Sequence, residues 1–176
     1  TGAGTSVART GNPDLALTTA TEMIANAAAI CATARIPVIA DADTGYGDVL
    51  NVRRTIRQYE QAGVAAVHIE DQESPKRCGH LDNKNVVTVD EMVRKLAAAV
   101  DARTDDDFLV IARTDAVAVK GWDDAMHRCE AYLEAGADAL FVEAIPTRER
   151  AQELAHTFDV PLLYNFVETG KSPLLS

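Results

Sequence analysis

The sequence predicts an α/β fold, a (β/α)8 TIM-type barrel of which an incomplete segment is present. Five short apolar runs alternate with stretches of helical spacing, which is typical of α/β proteins. Each run ends on a polar residue, and the carboxyl ends of barrel strands meet at one mouth, where active sites lie. An open doubly wound sheet would instead focus its ligand site at one switch point, so the polar strand ends favour the barrel. These strand-end residues are Asp41, Glu70, Arg113, Glu143 and Asn165.

The apolar runs are rich in Val, Ile, Leu and Ala on both faces, so we interpret them as buried parallel strands. They cover residues 36–41, 64–71, 107–113, 137–144 and 160–165. The stretches with helical spacing cover residues 18–33, 51–62, 90–103, 122–135 and 147–157. The segments AGVAAVHIE and AGADALFVE share one pattern, which predicts a helix end capped by Gly63 or Gly136 and then a strand ending in a carboxylate.

The chain length predicts a single catalytic barrel domain, residues 1–176, that is partial. A (β/α)8 barrel takes about 250 residues, whereas five clear strands are visible here. The chain also begins at Thr1 without a methionine. We therefore expect the first strand and the C-terminal strands and helices to lie outside this sequence.

Composition and charge exclude several classes of partner. Acidic residues outnumber basic ones by 27 to 17, giving a net charge of −10, so a polyphosphate backbone would be repelled and no nucleic acid partner is predicted. The apolar stretches are shorter than the roughly 18 residues needed to cross a bilayer, so no membrane contact is predicted. The three cysteines are widely spaced, which favours reduced thiols in the cytoplasm or an organelle matrix.

The segment DADTGYGD, residues 41–48, directly follows the first predicted strand. Asp41 and Asp43 are two residues apart and would share one face of an extended segment. Their hard carboxylate oxygens suit Mg²⁺ or Mn²⁺. The alternative is an aspartate-rich turn with no metal. In the segment HIEDQ, Glu70 matches Glu143 in the repeat and is predicted to face the mouth, which leaves Asp71 as a turn or salt-bridge residue.

The segment PKRCGH, residues 75–80, surrounds the thiol of Cys78 with Lys76, Arg77 and His80. Nearby positive charge favours a thiolate, which is typical of a reactive cysteine rather than a packing one. Metal ligation is disfavoured because Mg²⁺ does not select thiolate, so a nucleophile or an acid/base remains. Gly79 and the position after a strand end suggest a mobile gate that delivers the thiol.

Arg113, in the segment IARTD, offers a bidentate fork to an anionic substrate at the predicted mouth. A structural ion pair with Glu143 or Asp41 is an equally good interpretation. His68 within its strand and His127 on a helix surface are interpreted as structural.

Six segments in this order and spacing resemble the isocitrate lyase and phosphoenolpyruvate mutase superfamily, in its 2-methylisocitrate lyase-like branch. They are DADTGYG, HIEDQ, PKRCGH, ARTDA, FVEA and NFVETGKSP. The resemblance implies a barrel with Mg²⁺ at its mouth and a homotetramer in which the last helix is swapped between subunits. It also implies carbon–carbon bond cleavage, because members with this Cys-Gly loop are lyases, whereas phosphonate enzymes generally differ there.

The resemblance also assigns roles to individual residues. Asp41 is expected to ligate the metal directly, and three carboxylates are expected to hold its waters: Asp43, Glu70 and Asp14. Cys78 is expected to be the proton donor, with Lys76, Arg77 and His80 tuning or reloading its thiol. Arg113 would grip the substrate and Glu143 would support it. The remaining substrate-binding residues are expected to be Thr1, Gly2, Ala3, Gly79, Asn165 and Ser172.

The implied reaction is the Mg²⁺-dependent cleavage of a 2-hydroxy di- or tricarboxylic acid such as 2-methylisocitrate to pyruvate and succinate. A 2,3-dimethylmalate lyase and an oxaloacetate hydrolase are close alternatives that share the thiol loop. A phosphonopyruvate-type enzyme and a non-catalytic relative are disfavoured by Cys78-Gly79 and by the retention of the other site residues.

Overall fold

The structure is a computed structural model that describes residues 2–79, 83–167 and 170–175. Its centre is a parallel sheet of five strands whose spatial order, β1-β2-β3-β4-β5, is also their order in the chain. Helices connect successive strands, so the predicted fold class is confirmed. The strands are Ile39–Asp41 (β1), Ala66–Glu70 (β2), Leu109–Thr114 (β3), Ala139–Val142 (β4) and Leu162–Leu163 (β5).

The five helices that begin at Ala20 or later agree with the predicted stretches to within two residues at each end. A short helix and a π-helical turn at residues 2–10 precede them and were not predicted. Gly63 and Gly136 follow two of the helix ends with φ of +85° and +98°, as expected for glycines that terminate helices. The helices are Gly2–Thr5 (α1), Ala20–Cys31 (α2), Val49–Gln61 (α3), Val89–Ala102 (α4), Trp122–Glu134 (α5) and Arg148–Thr157 (α6).

Polar side chains at the preceding residue begin four of these helices. Thr19 accepts a hydrogen bond from the Glu22 N–H while the Glu22 carboxylate accepts from the Thr19 N–H, so α2 starts in a capping box. Asp48, Thr88 and Thr147 cap α3, α4 and α6 in the same sense. The local sequence therefore fixes where these four helices start.

The two faces of the sheet have different environments. Successive side chains of a strand point to opposite faces. In β2, Val67 and Ile69 join the large core formed with the helices, whereas Ala66 belongs to a smaller cluster with Phe141 on the other face. His68 and Glu70 therefore share the face of Ala66. The same alternation brings the polar strand ends onto the face opposite the helices, where the candidate site lies.

Within the described part of the chain, no helix has both the length and the apolar character that a membrane span requires.

Candidate active site

A cavity of about 410 Å³ opens at the carboxyl ends of the strands. Its wall contains residues from all five strands and from neighbouring loops. Thr1 and His80, which were also assigned to the site, lie outside the described residues. Three further assigned residues are buried but do not line this cavity: Asp43, Glu70 and Ser172. The assigned residues that do line it are Gly2, Ala3, Asp14, Asp41, Lys76, Arg77, Cys78, Gly79, Arg113, Glu143 and Asn165.

Arg113 lies at the end of β3 and is surrounded by carboxylates. Its guanidinium is 3.2 Å from Glu70 Oε2, 3.0 Å from Asp115 Oδ2 and 3.5 Å from Glu143 Oε2. Burial lowers the pKa of Arg113, but the charges of these three carboxylates outweigh it and raise the pKa well above its usual value. The side chain is therefore a permanent cation, and it also lies over the Phe141 ring at 4.9 Å.

A second charged cluster surrounds Lys76, on the loop after β2. The Lys76 ammonium is 2.6 Å from Asp14 Oδ1 and 2.7 Å from Asp43 Oδ1, and its residue is only 3% exposed. Burial lowers the pKa of Lys76, and the neighbouring carboxylates raise it above its usual value. The ammonium thus lies among the carboxylates that were assigned to the metal, rather than serving the thiol alone.

Asp41 is held by backbone groups at the end of β1. The Gly2 N–H donates to Asp41 Oδ2 at 2.6 Å, and the Asp43 N–H donates to Asp41 Oδ1 at 3.0 Å. Burial raises the pKa of Asp41. His68, Arg113, Lys76 and the Asp43 N–H lower it, and the net result is a pKa well below the usual value. Asp41 is consequently ionised, with its oxygens fixed at the edge of the cavity.

The pKa values of Asp43 and Glu70 are shifted upward, in the opposite direction to the pKa of Asp41. Burial, followed by the negative charge of Asp41, raises the pKa of Asp43 to about 6. Burial likewise raises the pKa of Glu70 well above its usual value. A divalent cation at this position would offset both effects, because opposite charge favours the ionised carboxylate.

The described residues contain no group of three His, Cys, Asp or Glu side chains placed to enclose a metal ion. The donor set nevertheless fits a hard cation that retains several waters. Asp41, Asp43 and Glu70 offer buried carboxylate oxygens, and Glu70 Oε1 accepts no hydrogen bond from the described part of the chain. Oxygen donors of this kind suit Mg²⁺, which takes one or two carboxylates directly and others through water.

Cys78 is half-buried on the cavity wall, and the backbone of its loop is anchored on both sides. The Cys78 N–H donates to the Asp14 carbonyl at 3.1 Å. The buried Gln72 amide donates to the Arg77 carbonyl at 2.8 Å and accepts from the Arg77 N–H at 2.9 Å. These contacts hold the thiol beside the cavity.

Gly79 allows the thiol loop to approach the Arg113 guanidinium. A Cβ at this position would lie 2.5 Å from Arg113 Nη2 and 2.8 Å from the Glu143 side chain. Glu143 in turn accepts from the Asn165 amide at 3.3 Å. Only glycine is compatible with this close packing of the loop against the Arg113 and Glu143 side chains.

The chain was also compared with known protein families and structures. The sequence model described as phosphoenolpyruvate phosphomutase matches residues 1–174. The chain belongs to this family. Membership confirms the resemblance found in the six segments, which lie between residues 41 and 173.

Three family relatives illustrate the match. The 2,3-dimethylmalate lyase of Eubacterium barkeri is 50% identical over 175 residues, covering 99% of this chain and 61% of that protein. The 2-methylisocitrate lyase of Shewanella oneidensis is 45% identical over 175 residues, covering 99% of this chain and 60% of that protein. A solved oxaloacetate acetylhydrolase with the inhibitor 3,3-difluorooxalacetate has a TM-score of 0.96 and 42% identity, covering 100% of this chain and 61% of its own. The chain thus spans about three fifths of the length of these relatives.

Asp71 takes the structural role that was expected for the second carboxylate of HIEDQ. Its side chain accepts hydrogen bonds from Thr114 Oγ1 at 2.7 Å, the Asp115 N–H at 2.9 Å and Tyr132 OH at 2.8 Å, and it pairs with Arg128 at 3.1 Å. This network ties β2 and β3 to helix α5. Glu70, which was predicted to face the mouth, lies 3.2 Å from Arg113 and does not itself line the cavity.

His68 was interpreted as structural, yet it lines the cavity. Its Nδ1 is 3.6 Å from Asp41 Oδ1, and burial lowers the pKa of the imidazole to about 4, so the ring is neutral at pH 7. The strand period contained the signal, because His68 precedes Glu70 by two residues and so shares its face. Lys84 and Asp115 were also missed, and both are buried beside the site.

Proposed function

We propose that the full protein is a Mg²⁺-dependent lyase that cleaves a carbon–carbon bond of a 2-hydroxy di- or tricarboxylic acid. The observation that carries this proposal is the half-buried thiol of Cys78 on the wall of a cavity that also holds Arg113 and a cluster of carboxylates. Our first candidate substrate is 2-methylisocitrate, with pyruvate and succinate as products. The similarity to a 2-methylisocitrate lyase over 99% of this chain supports that choice.

The carboxylates of such a substrate need cations and N–H hydrogen-bond donors to bind them, in a cavity whose other charged groups are mostly acidic. Arg113 supplies a fork of N–H groups, and its neighbours Glu70 and Glu143 fix its orientation. We assign the second carboxylate of the substrate to Asn165 and Ser172, and the first to the backbone of residues 1–3 with Gly79 beside it. The Gly2 N–H already donates to an anionic oxygen of Asp41, which shows the polarity of that segment.

We assign the metal to Asp41 directly, with Asp43, Glu70 and Asp14 holding its waters. When bound there, Mg²⁺, or Mn²⁺ in its place, would polarise the oxygens of the 2-hydroxy acid as a Lewis acid. Lys76 holds Asp14 and Asp43 in position through its two ion pairs. The chain itself therefore orients the water-holding carboxylates.

The bond cleavage itself balances without a further reactant. The 2-hydroxyl loses its proton and becomes the carbonyl of the 2-oxo acid as the C2–C3 bond breaks. The electron pair remains on C3, where the adjacent carboxylate delocalises it. The Cys78 thiol then gives its proton to C3, and the resulting thiolate is reprotonated by the equivalent released from the hydroxyl, with Lys76, Arg77 and His80 tuning or reloading it.

Two further candidates share this site. A 2,3-dimethylmalate lyase is favoured by 50% identity over 99% of this chain, and an oxaloacetate hydrolase by the TM-score of 0.96 with an oxaloacetate acetylhydrolase. A phosphonopyruvate-type enzyme is disfavoured by Cys78-Gly79. We further propose a helix-swapped homotetramer located in the cytoplasm or an organelle matrix, on the strength of the family resemblance alone.

The test is a substrate panel with the full-length protein and Mg²⁺. 2-Methylisocitrate, isocitrate, 2,3-dimethylmalate and oxaloacetate are assayed side by side for 2-oxo acid release, with the products identified by NMR. Rapid formation of pyruvate and succinate from 2-methylisocitrate is the expected result. Oxalate and acetate from oxaloacetate would replace the lyase with a hydrolase, and turnover of none of the four would refute the proposal.

A further inference from the structure

Lys84 lies beside the candidate site without lining its cavity. Its side chain is 2% exposed, and its ammonium donates to the Gly79 carbonyl at 2.5 Å and to Asp115 Oδ1 at 2.6 Å. One buried cation therefore joins the backbone of the thiol loop to a carboxylate at the end of β3.

Asp115 connects this cation to Arg113. Its Oδ1 accepts from Lys84, while its Oδ2 accepts from Arg113 Nε at 3.0 Å. The Asp115 N–H donates to Asp71, which is itself fixed by Tyr132 of α5. Asp115 is thus anchored to the helix layer. It pairs with both cations, because its Oδ1 also accepts from Arg113 Nη2 at 3.4 Å.

The same contacts determine the distance between the thiol loop and the guanidinium. Gly79 packs directly on Arg113, with room for no Cβ between them. Without the Lys84 ammonium, the Gly79 carbonyl would lose its charged donor and Asp115 would lose half of its pairing in a water-poor setting. Charge-assisted hydrogen bonds to buried groups are costly to break, because the remaining partner stays desolvated.

We propose that Lys84 is a positioning residue, which fixes the Cys78-Gly79 backbone relative to Arg113. The thiol and the guanidinium can then contact the same bound substrate. It acts through Gly79 and Asp115 and does not touch the substrate. The inference deepens the proposed function, on which its effect on turnover rests, while its structural part can be measured without any substrate.

The experiment compares Lys84→Met with Lys95→Met in the full-length protein. Lys95 is a matched control, because it is also a buried lysine with one acidic partner, but that partner is Glu91 in its own helix α4. An arginine-specific protease is added to each folded protein, and mass spectrometry follows cleavage after the exposed Arg77, next to Cys78. Such a protease ignores the lysine substitutions themselves.

We expect cleavage after Arg77 to become about tenfold faster in Lys84→Met, because the loop loses its anchor, and to change little in Lys95→Met. For an active wild-type protein we also expect kcat to fall about tenfold with KM changed less, since alignment of the thiol is lost rather than binding. Lys84→Arg, which retains charged donors but adds an arginine that the protease would cut, is compared by kinetics alone and is expected to recover part of kcat.

Unchanged cleavage after Arg77 in Lys84→Met, or an equal increase in Lys95→Met, would overturn the proposal. If Lys84→Met does not fold, Lys84→Gln, which keeps one N–H donor without the charge, provides the same comparison. Absence of turnover in the wild-type protein would count against the proposed function only. The protease comparison needs no substrate, because it measures directly how firmly the loop is anchored.

Discussion

Asp14 and Lys76 are 62 residues apart in the chain, yet the Lys76 ammonium donates to Asp14 Oδ1 at 2.6 Å. This pair joins the loop before α2 to the loop after β2, next to the thiol. The same ammonium is 2.7 Å from Asp43, so three charged groups from three separate segments meet at the edge of the cavity. The charge balance at the proposed metal site therefore depends on contacts that are distant in sequence.

The first prediction concerns Asp41, our proposed direct ligand. In the wild-type protein, Mg²⁺ with pyruvate at about one hundred times their dissociation constant should raise the free energy of unfolding by about 2.7 kcal/mol. We expect Asp41→Ala to abolish this increase, measured as the shift in melting temperature on adding both compounds. Asp106→Ala, at an exposed loop aspartate, serves as the control and should keep the full shift. An unaltered shift in Asp41→Ala would refute the ligand assignment.

The second prediction uses the close approach of Gly79 to Arg113. In Gly79→Ala the new Cβ would lie 2.5 Å from Arg113 Nη2, so the loop or the guanidinium must move. We expect kcat/KM to fall by about 100-fold, since small displacements of catalytic groups have effects of this size. Steady-state kinetics on the preferred substrate measure it.

Gly11→Ala provides the matched control for this substitution. Gly11 has a φ of +68°, but a Cβ there would meet nothing within 4 Å. We expect Gly11→Ala to lower the free energy of unfolding by about 1 kcal/mol through backbone strain, with kcat/KM unchanged. Equal activities of the two variants would contradict the steric argument at Gly79.

The residues at strand ends could be predicted from the sequence because their positions follow from local pattern. The last residues of neighbouring parallel strands lie at the same edge of the sheet. Asp41, Glu70 and Arg113 could therefore be grouped from the sequence alone. Helix positions were predictable for a similar reason, since capping residues and apolar spacing act within a few residues of each other.

The contacts that hold the site together could not be predicted in this way. Lys84 was part of a loop segment with no periodicity, and its burial depends on Asp115, 31 residues further along the chain. Asp14 was assigned only through the resemblance, because nothing local relates it to Lys76. Tertiary ion pairs carry no sequence period, which explains why the strand ends were predicted and their supporting partners were missed.

The third prediction separates the three cysteines by their accessibility. Burial raises the pKa of the Cys129 thiol to about 12, and its residue is fully buried in the helix-side core. At pH 8 only about one Cys129 in ten thousand would be a thiolate, and it would not be exposed to reagent. We expect iodoacetamide to label Cys78 and Cys31 in the folded protein and to label Cys129 only after unfolding, as followed by peptide mass spectrometry. Labelling of Cys129 at the rate of the other two would contradict the burial of this helix face.

The last prediction tests Cys78, our proposed proton donor. Cys78→Ser retains the size of the side chain but replaces the thiol by a hydroxyl that is a far weaker acid, so protonation of the carbanion should become limiting. We expect kcat to fall by at least about 100-fold, which is the contribution typical of a positioned acid. Binding of Mg²⁺ with pyruvate, measured by calorimetry, should remain within about threefold of wild type, because Cys78 is assigned no role in holding either. Cys31→Ser, a half-buried cysteine on α2 outside the cavity, is the control and should retain full activity. Turnover by Cys78→Ser at the wild-type rate would remove the thiol from the mechanism, whereas loss of ligand binding together with turnover would assign Cys78 to substrate positioning instead.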